Sequence, residues 1–482
     1  MKTQLSILTR DEVSEVSDAS MHILSDAGLK VESDEALDLL AKAGAKIDTK
    51  SNIVKIPAEV VEEAIGTAPK RLTLFSRDGK RDVKLYDRER PALSTDGIGV
   101  KMLDYRTNAH RRSTSRDLYR LALLSDFLKE VDVFWPMVVA GDVPESEHTV
   151  KEFAISMLGT SKHVQHEAYG KLEARSEIAI AQTISGGKEG LRRRPIFSAV
   201  QCPVSPLKLE VEASEAAIEF SRAGVPVVGM SIAQMGATAP ATIPATLLLS
   251  NAETLGALVL SQAASKGAPF IYGISSGPVD IRGTGGFLAG SPELSLISAA
   301  GAQIARSYGL PSLVAGMTTD ARYHSQQASF EKLQTCMLPS IAGATIVSGI
   351  GGLDSGNMIS MEQMVIDADI WSGMLRAIGG IEIERKKMHL DIIEKNGSNA
   401  NYDEDIDALK SYNREVWLPR LPIRQSYQSW KASGGKTVEE MAAEVVKNAL
   451  ESHRVRALDK DVERDIMVAY KKYQKELQGE RL

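Results

Sequence analysis

Residues 196–232 read IFSAVQCPVSPLKLEVEASEAAIEFSRAGVPVVGMSI. Ile196 to Gln201 is a short apolar, β-branched run, Leu209 to Ala223 has helical character, and Val225 to Ile232 is a second β-branched run. The unit is strand, helix, strand, and it recurs on both sides. Upstream lie the runs Ala92 to Asp96, Val131 to Val139 and His163 to His166; downstream lie Phe270 to Ile274, Ser312 to Met317 and Thr345 to Ile350. A helical segment follows each, for example Arg116 to Lys129, Pro292 to Tyr308, Gln326 to Leu338 and Met361 to Ile378. Ser291-Pro292 sets an N-cap before a first-turn proline, and Ser360 to Gln363 fits a capping box. Eight such units over residues 90–380 predict an α/β protein with a (β/α)8 TIM barrel rather than a doubly wound open sheet.

The flanks read differently. Residues 1–89 form an N-terminal helical/β extension: Thr9 to Glu12 fits a capping box, Gly28 and Gly44 stop two helices, and Pro57 starts a third. Residues 381–482 form a charged C-terminal helical segment expected to pack on the barrel or on a sister subunit, with helices at 403–418 and 437–450.

Composition narrows the function. The chain has 482 residues and a formal net charge of −6, without a basic face for nucleic acid. The N-terminus lacks the apolar core of a signal peptide, and the run 245–264 is interrupted by Asn251, Glu253 and Gln262, so a membrane span is not expected. Cys202 and Cys336 are too few for a disulfide framework or a four-thiolate zinc site and read as reduced thiols of a cytoplasmic protein.

In such barrels chemistry sits at the C-terminal strand ends. Those ends supply Asp96, Phe134 with Trp135, His163 to Tyr169, Gln201, Gln234, Tyr272, Asp320 to Gln327 and Asp354. The set is rich in amides and aromatics and poor in paired carboxylates, which argues against glycosidase chemistry. His163 and His166 are three apart on a strand and point to opposite faces, so no zinc pair is expected there. Gly349-Ile-Gly351-Gly352 does not extend to a dinucleotide fingerprint, and no G-x-S-x-G elbow occurs.

Several segments then carry a resemblance. They are Ser94 to Gly97, Gln234 to Thr238 with Asn251-Ala-Glu253, Gly290 to Leu294, Thr318 to Asp320 with Gln327, and Ser355-Gly356 with Glu362-Gln363. The N-terminal pattern from Ala19 to Ala64 and the tail RQSYQSWKASGGKTVEEMA join them. In that order the series resembles the trimethylamine methyltransferase family over nearly the whole chain. The resemblance implies methyl transfer to Co(I) of a separate corrinoid protein, so the cobalamin arrives on a partner and none is tightly bound. Archaeal members carry pyrrolysine; this chain has only standard residues, which points to the branch that resembles glycine betaine methyltransferases.

A quaternary amine leaves as a neutral tertiary amine and needs no general acid, in keeping with the lack of an evident acid–base pair. The pocket should hold N-methyl groups over aromatic faces. Phe134, Trp135, Tyr169, Tyr272 and Tyr323 are the aromatic candidates, and His166, Gln201, Arg322, His324 and Gln326 would meet a carboxylate, with Asp96 and Gln234 beside them. Asp320, His324 and Gln327 are the candidates for catalytic roles, and no metal site is expected. The partner should find a wide, partly apolar rim, and the chain itself is expected to form a homo-oligomer. The rivals are a barrel lyase or hydrolase using a strand-end aspartate, a methyltransferase for trimethylamine or another methylated amine, and a non-catalytic binder of quaternary amines.

Overall fold

The computed structural model describes residues 5–479 apart from 88–89, 98, 105, 400–409, 411, 413–414 and 422. Eight strands close a parallel barrel. In chain order they are β1 (Ala92–Thr95), β2 (Val133–Phe134), β3 (His163–His166), β4 (Phe197–Gln201), β5 (Val227–Ser231), β6 (Phe270–Ile274), β7 (Ser312–Ala315) and β8 (Ile346–Ile350). Each pairs with its sequence neighbour, and β8 pairs with β1 to complete the ring. The outer ring is α1 (Ser115–Phe127), α2 (His148–Gly159), α3 (Lys171–Ser185), α4 (Val211–Ala223), α5 (Ile243–Ala264), α6 (Pro292–Ser307), α7 (Gln326–Ala342) and α8 (Met361–Ile378). The expected α/β barrel is the fold.

Local signals set several boundaries. Thr9 forms its capping box with Glu12, and Ser291 caps Leu294 N–H ahead of Pro292. The box expected at Ser360 is only half made. Ser360 accepts from Gln363 N–H, but the Gln363 amide turns inward to Asp367 at 2.7 Å because a buried carboxylate there needs a donor.

Two cores result. Inside the barrel, Val133, Val200, Val228, Ile271, Leu313 and Ile346 pack with Leu72, Leu74, Val83 and Leu85. Of those last four, Leu74 and Val83 pair within a small hairpin (Thr73–Leu74 with Val83–Lys84) and Leu72 and Leu85 flank it, so the N-terminal extension supplies the barrel floor. The larger core lies between strands and helices. Helices Arg10–Asp26, Asp34–Lys42 and Ala58–Thr67 cover α5. Helix Val438–Ser452 lies on α8 and α1, and helix Lys460–Leu477 on α3 and α2. Most of the helix expected at 403–418 lies outside the described residues.

Helix α5 is long and apolar enough to cross a membrane by composition, yet 72% of that window is buried in the protein. Its polar residues are matched within the fold. Asn251 donates to Ser20 and Tyr308, and Glu253 accepts from Ser205, Leu207 N–H and Ser231. That matching is what a core helix needs and a lipid-facing one would not have.

Candidate active site

Strand pairing decides which side chains enter the barrel. Ser94 lies beside Val133, and Val133 beside His163. Side chains alternate along strands, so the next inward positions on these three adjacent strands are Asp96, Trp135 and Gln165, with Glu167 one step nearer the mouth. Trp135 belongs to the interior core, and its ring packs on the Cα of Gly97, where a Cβ would fall 2.4 Å from it. The Asp96 carboxylate accepts from Gly97 N–H at 3.1 Å and faces Gly352 and Gly356 of the loop after β8. Below, His163 donates through Nδ1 to the Phe75 carbonyl and accepts through Nε2 from Ser198, which settles it as a neutral structural residue. Burial pulls it down to about 4.

The inward wall therefore carries two carboxylates at separate strand ends, Asp96 beyond β1 and Glu167 beyond β3. Burial pushes Asp96 up to about 6, opposed in part by the Lys332 ammonium. Burial likewise lifts Glu167 to about 7, against the pull of His166 and with the repulsion of Glu152 and Glu177. Sequence reading missed Gln165 and Glu167, although the alternation His163, Gln165, Glu167 was there to find them.

Four expected ligand contacts face away from the barrel interior. Phe134 belongs to the outer core, one residue out of phase with Trp135. Tyr272 is fully buried outside the barrel, its hydroxyl 3.0 Å from Asn251 Oδ1 on α5. His166 turns to the helix layer, where Nδ1 meets Glu177 Oε1 of α3 at 2.6 Å beside the Phe153 ring. Burial raises Glu177 well above the usual carboxylate range and lowers His166, so it disfavours the charged form of each partner. Gln201 also faces out, its amide 3.4 Å from the Ala168 carbonyl.

The residues expected to be catalytic brace the loop after β7. Asp320 accepts from Gly290 N–H at 3.1 Å and Ser355 at 2.8 Å. Gln327 donates to Glu331 at 2.9 Å, and Glu331 in turn accepts from Asp320 N–H. His324 Nε2 pairs with Ser360, the cap of α8, at 2.8 Å. Arg322 and Tyr323 are exposed, with Arg322 3.4 Å from Asp354; Gln326 opens α7. Gln234 sits half-buried in a two-residue strand paired with Gly277–Pro278 above β5 and β6.

Around the mouth, six loops each present an exposed apolar side chain: Val100, Tyr169, Val204, Ile232, Ile281 and Tyr323. Clefts at the opposite end, near Arg90, Asp132 and Lys162, lie on the face that in such barrels serves stability. Among the described residues, no cluster of His, Cys, Asp and Glu is placed to hold a metal ion.

A closed parallel barrel whose C-terminal end gathers an aromatic ring, an amide and two carboxylates defines a (β/α)8-barrel protein with a site at its mouth. The chain belongs to the trimethylamine methyltransferase (MTTB) family, whose profile matches residues 2–478. It is 35% identical to trimethylamine methyltransferase MttB of Methanosarcina barkeri (strain Fusaro) over 99% of this chain and 97% of that protein. It is 34% identical to MttB of Desulfitobacterium hafniense (strain DCB-2), over 92% of this chain and 89% of that one. The glycine betaine methyltransferase of Desulfitobacterium hafniense (strain Y51) is 28% identical over 88% of each chain. Among solved structures, the hydroxylamine complex of MtmB covers 98% of this chain and 93% of its own at 14% identity, with a TM-score of 0.48. The protein is thus a methyltransferase, and cobalamin dependence is in keeping with its family.

Proposed function

We propose that this protein moves a methyl group from a quaternary amine, glycine betaine or a related betaine, to Co(I) of a separate corrinoid protein docked over the barrel mouth. The carrying observation is the Trp135 ring set between Asp96 and Gln165 on adjacent inward-facing positions. A ring face with a carboxylate beside it suits a permanent cation. The six apolar side chains on the mouth loops suit a partner carrying a broad, partly apolar cofactor. The two cysteines are unpaired, in keeping with a cytoplasmic setting.

The corrinoid, when docked, supplies the nucleophile. The chain's own residues then have three tasks. Trp135 and Asp96 hold the ammonium so that one N-methyl carbon points out of the mouth. The C–N bond breaks with its electron pair left on nitrogen, so the amine departs neutral and no proton has to be delivered. Closure of the partner over the rim excludes water from the displacement.

A second reading rests on Asp96 and Glu167. Carboxyls lifted to about 6 and about 7 are able to hold or return a proton near neutrality, which a tertiary methylated amine would use. The test is a panel of glycine betaine, proline betaine, carnitine, choline and trimethylamine. Each is mixed with the enzyme and Co(I) cobalamin, free and on a corrinoid protein, while the Co(I) spectrum is followed. Enzyme-dependent loss of that spectrum with a betaine supports the proposal. Loss with trimethylamine alone favours the second reading, and no loss under either condition removes both.

A further inference from the structure

Gln165 is fully buried, and neither its Nε2 nor its Oε1 has a hydrogen-bond partner in the protein. Buried carboxamides are almost always satisfied, so an orphan of this kind calls for a cause. Its place supplies one. Val164 and His166, on either side, face the helix layer. Gln165 therefore faces the barrel interior, level with Trp135 and Asp96.

The orphan is not isolated. Ser94 Oγ, on the inward face of β1 one step below Asp96, is also buried without a partner, as is Glu167 Oε1 one step above Gln165. The other buried atoms in that condition among the described residues sit on helices or, for Glu130, on the turn before β2. Within the barrel, unsatisfied polar atoms thus gather on the wall formed by β1, β2 and β3, around the one interior tryptophan.

We propose that Gln165 reads the oxygen-bearing end of the substrate, which makes that substrate a quaternary ammonium compound with a carboxylate or hydroxyl oxygen a few atoms from its nitrogen. This rests on the quaternary-amine reading above. With the ammonium on Trp135 beside Asp96, the substrate's tail extends along the wall to β3. There the Nε2–H of Gln165 donates to the tail oxygen. A carboxylate accepts this bond. A hydroxyl accepts it as well and can return its own proton to Oε1. A tetraalkylammonium ion offers neither and would leave the amide unpaired, and such unpaired groups are what let a site reject an analogue.

The test measures binding by calorimetry to the full-length protein for glycine betaine, choline and tetramethylammonium. Wild type is compared with Gln165→Met, which keeps the shape and loses the amide, and with Gln165→Glu. Melting temperatures check that both variants fold. Gln165→Met is expected to weaken glycine betaine and choline on the order of 10- to 100-fold and to leave tetramethylammonium within about 2-fold. Gln165→Glu is expected to repel the carboxylate of glycine betaine and to retain choline, which can donate its hydroxyl. Loss of glycine betaine with choline retained under Gln165→Glu supports contact between this side chain and the oxygen-bearing end, and equal loss of the two speaks against it. The proposal is overturned if wild type binds no oxygen-bearing compound better than tetramethylammonium, or if Gln165→Met leaves all three unchanged or weakens them alike. Failure of the transfer reading shows separately, as an unchanged Co(I) spectrum while this binding pattern persists.

Discussion

Lys332 Nζ and Asp367 Oδ2 meet at 2.8 Å with neither side chain exposed to solvent. The lysine, on α7, also donates to the carbonyls of Met317 and Gly349, just beyond β7 and near the end of β8. The aspartate, on α8, accepts from Gly351 N–H and the Gln363 amide. One ion pair therefore ties two helices to the strand ends from which the loops beside Asp96 depart.

Removing one partner leaves the other charge buried and unmatched. Lys332→Met or Asp367→Asn is expected to lower stability by about 3–5 kcal/mol in urea denaturation. The double variant should lose less than the sum of the two.

The raised carboxyls give substrate binding a pH dependence. Asp96 and Glu167 titrate near 6 and near 7, and only their charged forms attract an ammonium. Affinity for a quaternary amine is expected to rise from about pH 5 to about pH 8, and Asp96→Asn with Glu167→Gln should flatten the profile. Fold stability runs the other way. These groups hold protons in the folded chain that the unfolded chain releases near 4, so their contribution falls as pH rises through the same window. Chemical denaturation at both ends of the window checks this, and Asp96→Asn should shrink the fall.

Trp135→Ala removes the aromatic face and is expected to raise KM for a quaternary amine on the order of 10- to 30-fold, matching about 2 kcal/mol of cation–π attraction in a dry site. Trp135→Phe should recover part of it. Phe134→Leu, in the outer core, should leave KM unchanged.

The rim makes a claim about the partner. Ile281 and Tyr323 are 68% and 56% exposed. Replacing both by Asp should weaken turnover with a corrinoid protein about 10-fold or more while free cobalamin is used as before. Equal loss with both acceptors would place the effect inside the site instead.

All eight strands were legible because strands buried on both faces read as continuous apolar runs. The same continuity hides which way a side chain points. In His163-Val-Gln-His166-Glu-Ala every position is buried or nearly so, and the polar alternation His163, Gln165, Glu167 does not by itself say whether that face turns to the barrel interior or to the helices. Register does: Val133 beside His163 sends Gln165 and Glu167 inward, and Glu177 on α3 receives His166 outside. Asp320 looked chemical for a similar reason. Its partners Gly290 and Ser355 lie 30 and 35 residues away and come close only once β6, β7 and β8 are adjacent.

The floor hairpin has a bearing on how the chain is made. Its apolar residues, Leu72 to Leu85, leave the ribosome before the strands they will sit beneath. A nascent chain thus carries the plug first and assembles the staves around it. A fragment cut at residue 90 would have staves and no plug, with Val133, Val200 and Ile346 facing a wet hole at the base. Supplying residues 1–89 in trans should restore that fragment's solubility, whereas a circular permutant opened between the floor and β1 would keep every part and change only the order of arrival.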